Sequence, residues 1–596
     1  MVGAQSGGVA VALVGVGPRG LSVLERLLIR LRSSPYRGEV TVWAVDPVEH
    51  GSGRVWRTGQ PWWLTMNATG AEVTVRSPDS DVPGGGLVEW SNQAGWPHET
   101  VGPVDYPPRR VYGAYLKDTF DRMRASAPRN VRVRPVLGEV TEVTRMDGRY
   151  LLTVDTLGTP LRVDKVVLAT GHGAQQLSDE QRRLADHGED RYLAESIAAD
   201  MPLDAVAPSA SVAIRGLGLS FYDIVRSLSI GRGGRFVRDQ SGRLAYRPSG
   251  AEPRITAGSR SGVPFLARPR FDEAPETAPR PTVLTEQRLD DLRTAAFRNT
   301  GTSQLDFAKQ VEPLIMAEAR SAHASCAGRQ NRTRLGVRVE DVGQPFRGKR
   351  FSSPQAFRLS MMDMLRTDVE EARKGPHGSP VKAATEMLRG IRPLLPSVVD
   401  YGGLLPGSHR DFLSRFAPWS FIVSAGPPDE HVEQLLALID AGVVDVVGPA
   451  ARFEPDKQSE GFTVESGRVA GSRRTVDVLI EARVPVTDIR RSAAPLTQHL
   501  LADGVISEFV NTDPITGEQF ASGGLAITPP PCRVINDAGV VNPDIYAIGV
   551  ATEKTRWFTQ VGTGRPGKDS PFCREADAIA GDIMSSLERD SRELPW

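Results

Sequence analysis

Residues 9–14, VAVALV, are an unbroken apolar run that ends in Gly15, Gly17 and Gly20 and gives way to LSVLERLLIRL, apolar at helical spacing. Such a run suits a strand buried on both faces of a parallel sheet, so strand, turn and helix are predicted in that order. EVTVWAVDP (39–47) predicts the next strand, ending at Asp46. The same signals return at SVAIRGLGLSFYDIVRSL (211–228), with Gly216 and Gly218 between strand and helix and Phe221 where a third glycine would stand. A following strand is predicted in EPRITAGSRSG (252–262), and DVLIEARV (477–484) repeats the spacing of DKVVLATG (164–171), both opening on aspartate.

Between 281 and 445 the strand-like runs disappear. TEQRLDDLRTAAFRN, SPQAFRLSMMDMLRTDVEEARKG, SPVKAATEMLRGIRPLL and DEHVEQLLALIDAG carry helical apolar spacing and are punctuated by glycine and proline. At 596 residues the chain exceeds one core. The expected fold class is α/β: two Rossmann-like dinucleotide-binding domains with a helical insertion domain.

Glycine spacing assigns roles. Gly15 permits the tight turn, Gly17 lets a pyrophosphate approach the backbone, and Gly20 allows close helix–strand packing, with the helix N-terminus toward the phosphates. Asp46, about 26 residues beyond Gly20, can accept from ribose hydroxyls and would repel a 2′-phosphate, which favours FAD or NAD at the first turn. At the second turn the third glycine serves packing, so Phe221 leaves the phosphate site open, and Ser220 offers a hydroxyl at the helix start. The following strand ends in Ser259, Arg260 and Ser261, and Arg260 could pair with a 2′-phosphate, which favours NADPH there.

Composition narrows the classes. Lys+Arg and Asp+Glu both count 72, so nothing suggests a polybasic binder of nucleic acid or membranes. Only nine of the cations are lysines. Three scattered cysteines exclude a disulfide framework and a dithiol redox centre. His323, His377 and His409 stand singly without metal-ligand spacing, and no H-E-x-x-H, G-x-S-x-G or P-loop occurs. The N-terminus reads as a first strand and no apolar run approaches the roughly 18 residues of a membrane span. A cytoplasmic protein without metal is expected.

Two distal stretches favour FAD at the first site. LRVDKVVLATGH (161–172), with Thr170 and Gly171, resembles the segment where two-domain flavoproteins leave the FAD domain, and NPDIYAIGVATEK (542–554) resembles their late strand and turn. In that turn a residue after Gly549 approaches the FAD pyrophosphate. Here it is Val550 in place of the usual aspartate, so only backbone can serve. The domains expected on this basis are 1–205 and 491–596 for FAD, 206–280 and 446–490 for NADPH, and 281–445 for the helical insertion, with two crossings between them.

GVGPRGLSVLERL (15–27), YPPRRVYGAYL (106–116), GLGLSFYDIV (216–225), GSPVKAATEMLRGIR (378–392), GPPDEHVEQLLALIDAGVVDV (426–446) and IYAIGV (545–550) together resemble the FAD-NAD(P)-binding family of flavoproteins. That family includes L-aspartate N-hydroxylases that use NADPH and O2 to form nitrosuccinate. DKVVLATGH also approaches the D-x4-A-T-G-Y of wider N-hydroxylating monooxygenases, with His172 replacing tyrosine, so the tyrosine's role does not transfer. The resemblance implies amine oxidation through a C4a-hydroperoxyflavin, with a small-molecule amine and O2 as partners. An NADPH-dependent flavin oxidoreductase or electron-transfer partner stays open as the alternative.

A dicarboxylate substrate calls for cations near the flavin. EKTRWFTQVGTGRPGKDSPFCRE (553–575) offers Arg556, Arg565 and Lys568, and FLARPRF (265–271) adds Arg268 and Arg270. Arg110 is a candidate FAD phosphate contact and Asn67 a candidate polar group at the flavin.

Overall fold

The computed structural model describes residues 8–93, 100–273, 280–329, 338–484 and 487–593. The first compact unit comprises Met1–Gln176, Leu395–Pro406 and Val486–Trp596, and the second comprises Leu177–Leu394 and Gly407–Pro485. The chain therefore passes between the units four times rather than the two expected, because residues 395–406 leave the helical segment to join the first unit.

Along the chain, the first unit supplies β1 (Val9–Val14), α1 (Pro18–Ser33), β2 (Val40–Asp46), α2 (Arg109–Ala125), β3 (Val131–Leu137) and β4 (Lys165–Leu168). The second supplies β5 (Tyr192–Leu193), β6 (Ser211–Arg215), α3 (Leu219–Ser227), β7 (Arg254–Gly258), α4 (Pro354–Arg373), α5 (Pro380–Gly390), α6 (Asp429–Asp440), β8 (Val444–Val446) and β9 (Val478–Glu481). Back in the first unit come β10 (Arg533–Ile535), β11 (Val541–Ala547) and α7 (Pro571–Glu593).

The first sheet has the order β10-β11-β4-β1-β2-β3, parallel except for β10. Val11, Ala12 and Leu13 of β1 are wholly buried at its centre, as the unbroken apolar run requires. Helix α1 starts on Pro18, buries Leu21, Leu24, Leu27, Leu28 and Leu31, and carries Arg30 and Arg32 in its last turn, where cations suit the helix dipole. Asp577 of α7 accepts from Arg26 at 2.8 Å and from Arg30 at 2.9 and 2.6 Å, which fastens the C-terminal helix to α1.

The second sheet is all parallel, in the order β8-β7-β6-β9-β5. Strand β5 comes from 177–205, a stretch expected with the FAD domain. The helical segment lies between β7 and β8, and α4 and α5 each begin on a Ser-Pro pair. The Ser353 and Ser379 hydroxyls accept from the N–H of Ala356 and Lys382 at 3.2 and 3.1 Å, and proline fits the first helical position.

Both sheets repeat one local device, which accounts for the sequence echo. In the first, the Ala10 N–H donates to Asp164 Oδ2 at 2.8 Å, and the Asp164 N–H donates back to the Ala10 carbonyl at 2.7 Å. In the second, the Ser211 N–H donates to Asp477 Oδ2 at 2.7 Å and the Asp477 N–H returns a bond to Ser211 at 2.9 Å. Each aspartate sets the register of a crossover strand against the strand that feeds a glycine turn: Val14 opposite Leu168, Ile214 opposite Ile480.

Wholly buried His409, in the second unit, gives a test of core ionisation. Burial pushes its pKa down to about 4 from 6.5, so the imidazole is neutral in the fold. The unfolded chain then binds the extra proton between about pH 6.5 and 4. Stability from this group is complete above that window and falls as pH falls through it, by on the order of 3 kcal/mol. Melting temperatures measured at pH 7.5 and 5.0 should drop more for the wild type than for His409→Leu.

Candidate functional site

The C-terminal ends of β1, β2, β4 and β11 gather the first set of sequence candidates. At Gly15, φ is +92° and an added Cβ would lie 2.3 Å from the Ala169 carbonyl oxygen. At Gly20 a Cβ would lie 2.1 Å from the Gly15 oxygen. Both glycines are thus demanded by the protein's own backbone. Gly17 is different: its Cβ would meet nothing nearer than Gly53 Cα at 3.8 Å. Gly17 is also the N-cap of α1, and among the described residues no side chain caps that helix. The first N–H groups of α1 therefore await a partner, which suits an anion.

Asp46 is buried, and its carboxylate accepts from the N–H groups of Val16 at 2.9 Å, Val48 at 2.9 Å and Glu49 at 3.1 Å. It holds the turn together first, and the remaining acceptor capacity is on Oδ2. The loop after it folds back over the glycine turn: the Gly51 N–H donates to Val16 at 2.7 Å, and a Cβ on Gly53 would lie 3.1 Å from Gly17 Cα. This Gly-Ser-Gly loop was missed in the sequence, although its positive φ values of +88° and +59° explain both glycines.

The other candidates of this unit border the same edge. Thr170 is exposed and Gly171, at φ +67°, has open space around it. Burial, with the Arg54 guanidinium near, holds His172 below the usual imidazole range, so it is neutral at pH 7. At Gly549 φ is +80° and a Cβ would lie 3.0 Å from Arg19 Cγ, while Val550 is buried. Asn67 and Arg110 are both half-buried. Their segments lie side by side, since the Met66 N–H donates to Pro107 at 2.9 Å and the Arg109 N–H to Leu64 at 2.8 Å.

The expected substrate cations of this unit are largely taken. Arg556 is buried, pairs with Glu575, and donates from Nε to Asp400 at 3.3 Å. Arg19 reaches Glu575 at 3.5 Å, donates to the Thr559 carbonyl at 2.9 Å and lies 5.0 Å over the Phe572 ring. Burial pushes Asp400 up to about 7, against the pull of Arg556 and the Trp557 N–H. This Arg19–Glu575–Arg556–Asp400 chain ties the first glycine turn, the C-terminal helix and the inserted segment 395–406 together. Arg565 donates to Glu72 at 2.7 Å, and Lys568 is exposed.

In the second unit a Cβ on Gly216 would lie 3.0 Å from the Ala482 carbonyl, the counterpart of the contact between Gly15 and Ala169. Gly218 caps α3 by backbone alone, and its Cβ would touch the Phe265 ring at 3.4 Å. Ser220 is half-buried in the first turn of α3, and Phe221 is wholly buried beside Tyr222. Ser259 Oγ accepts from the Gly262 N–H at 3.0 Å and lies 3.2 Å from Ser261 Oγ. The Arg260 side chain is exposed and pairs with no described residue, while its carbonyl accepts from Ala450 at 2.9 Å.

A buried clamp fixes the segment that carries Phe265. Lys382 donates to Asp368 at 2.6 Å and to the Ala267 carbonyl at 2.7 Å, and the Ala267 N–H donates to Asp368 at 2.7 Å. Arg268, next in the chain, is buried and lines a small cavity with Thr385, Glu386 and Ser424. Arg270 is paired with Asp429 at 2.6 Å.

Residues 12–173 match the family model described as FAD-NAD(P)-binding. Over an alignment of 650 residues the chain is 35% identical to an L-aspartate N-monooxygenase (nitrosuccinate-forming) of Streptomyces davaonensis, covering 98% of each. The chain belongs to this FAD-NAD(P)-binding flavoprotein family. A nitrosuccinic acid synthase of Aspergillus oryzae is also 35% identical, with 98% of this chain and 95% of the relative covered. The ornithine hydroxylase of Pseudomonas aeruginosa superposes with a TM-score of 0.46 at 13% identity, covering 97% of this chain and 99% of that one.

The flavoprotein's own residues fit these nucleotides: an uncapped helix start and an open Gly17 at one turn, an uncapped helix start and an exposed arginine at the other. Among the described residues no helix is long and apolar enough to cross a membrane.

The glycines separate protein packing from ligand fit. Gly17→Ala should leave the melting temperature of flavin-free protein unchanged while weakening FAD affinity about tenfold or more. Gly20→Ala should lower both, because its methyl group has no room. Thermal denaturation with and without FAD, and flavin fluorescence titration, check the pair.

Proposed function

We propose that this flavoprotein is an N-hydroxylating monooxygenase that uses NADPH and O2 to oxidise the amine of L-aspartate towards nitrosuccinate. The reading is carried by identity of 35% along 98% of the chain to a relative named for that reaction. Flavin, when bound and reduced by NADPH, supplies the activated oxygen. Each round consumes one NADPH and one O2, puts one oxygen atom on nitrogen and releases the other as water.

The chain's residues bind and orient. Gly17 and the first turn of α1 receive the FAD pyrophosphate, Asp46 fixes that turn and offers its remaining acceptor to ribose, and the segments of Asn67 and Arg110 border the same edge. In the second unit the α3 start receives the NADPH pyrophosphate and Arg260 the 2′-phosphate. The attacking group is the substrate's own unprotonated amine, so no base on the chain is obligatory.

Among the expected substrate cations, Arg556, Arg565 and Arg270 serve as structural charges, since carboxylates of the chain hold them. Arg268 stays a candidate beside its small cavity, and Lys568 stands too exposed to select a substrate. A cytoplasmic location fits the demand for NADPH.

Aerobic incubation of the purified holoenzyme with NADPH and L-aspartate should give an oxygenated product by mass spectrometry, dependent on NADPH. Peroxide as the sole product of NADPH consumption would favour a flavin oxidoreductase instead. Arg260→Ala should raise the KM for NADPH about tenfold or more and leave that for NADH unchanged; equal effects on both would remove Arg260 from the 2′-phosphate.

A further inference from the structure

In the loop that follows β11 nearly every residue is tied down. The Glu553 carboxylate accepts from the Phe558 and Thr559 N–H groups at 3.1 and 2.7 Å. The Thr555 hydroxyl donates to Leu525 at 2.7 Å, and its carbonyl accepts from Tyr401 at 2.8 Å. The Trp557 N–H donates to Asp400 at 2.8 Å. Lys554 has a fixed backbone too: its N–H donates to the Arg556 carbonyl at 2.7 Å, and its φ of +74° is one that side chains rarely adopt. Such conformations persist where the surroundings over-determine them, and they gather at functional sites.

The Lys554 ammonium is the exception. Lys554 as a residue is half-buried, yet its ammonium makes no hydrogen bond or ion pair with any described residue. Three carboxylates reach it electrostatically, Asp488, Glu508 and Glu553, with the Arg490 guanidinium against them. Asp488 and Glu508 face Arg490, at 2.7 and 3.2 Å, and Glu553 is held by the Phe558 and Thr559 N–H groups. Burial outweighs them and pushes the ammonium below the usual lysine range. A cation that has lost part of its hydration and gained no contact anion is set up to receive one from outside the chain. Nucleotide phosphates already have receptors at the uncapped helix starts, and the arginines of this loop are occupied.

We propose that Lys554 receives a carboxylate of the amino-acid substrate, and so selects a dicarboxylic amine over a monocarboxylic one. This rests on the function proposed above.

Two measurements test it. In the wild-type holoenzyme, with nine lysines to map, L-aspartate should protect Lys554 from acetylation by an N-hydroxysuccinimide ester and leave Lys568 unprotected, read by peptide mass spectrometry. In Lys554→Met the KM for L-aspartate should rise by about 10- to 100-fold, the range of one charge-assisted hydrogen bond, and Lys554→Arg should recover most of it. Flavin content and the rate of flavin reduction by NADPH without aspartate should stay within about twofold of wild type. If Lys554→Met does not fold, the protection measurement decides alone. Equal acetylation with and without aspartate, an unchanged KM, or loss of flavin in both variants overturns the assignment. Wild-type enzyme that leaves aspartate unoxygenated overturns the proposed function and this assignment together. Oxygenation of aspartate without protection of Lys554 overturns this assignment alone.

Discussion

The feature on which the rest depends is backbone pressed against backbone at the end of a parallel sheet. Gly15 sits so close to the Ala169 carbonyl, and Gly20 so close to Gly15, that no methyl group fits between them. That approach sets where α1 begins and therefore where its free N–H groups point. The same approach recurs between Gly216 and Ala482. In both sheets an aspartate at the base of the crossover strand locks the register that brings the two backbones together. One steric rule, applied twice, sets the start of a helix that no described side chain caps.

A second constraint is electrostatic. Arg19 stands inside the first glycine turn, yet its charge is shared with Glu575, which in turn holds Arg556 against Asp400. Taking several charges out of water is costly unless each finds partners of opposite sign. The chain meets that demand with residues drawn from the first turn, the last helix and the inserted segment. Arg556, a substrate candidate in the sequence, is held in the fold by Glu575 and Asp400.

Much of the fold was legible. The apolar runs, the glycine spacings and the repeated Asp-x-x-x-x-Ala pattern carry their own physics, because strand burial and tight turns act over a few residues. The Ser-Pro starts of α4 and α5 were equally local signals. The pairing of Arg556 was not legible, because it depends on Asp400, 156 residues away in sequence. The return of 395–406 to the first unit was hidden for the same reason, since nothing in its composition marks it as a contributor to another sheet's surroundings. Lys554 drew no notice beside richer arginine loops. Its distinction lies in what it does not touch.

The segment 395–406 also bears on how the chain is made. The first unit is assembled from three pieces, separated along the chain by the two parts of the second. A ribosome delivers these pieces in order, so β1, β2 and β4 emerge early and must wait for β11 and α7 before Arg19 finds Glu575. One continuous cut from 177 to 485 cannot remove the second unit alone either, because it would take the Asp400 anchor of the first with it. The pairing of Arg19, Glu575, Arg556 and Asp400 is thus a record that all three pieces of the first unit have met.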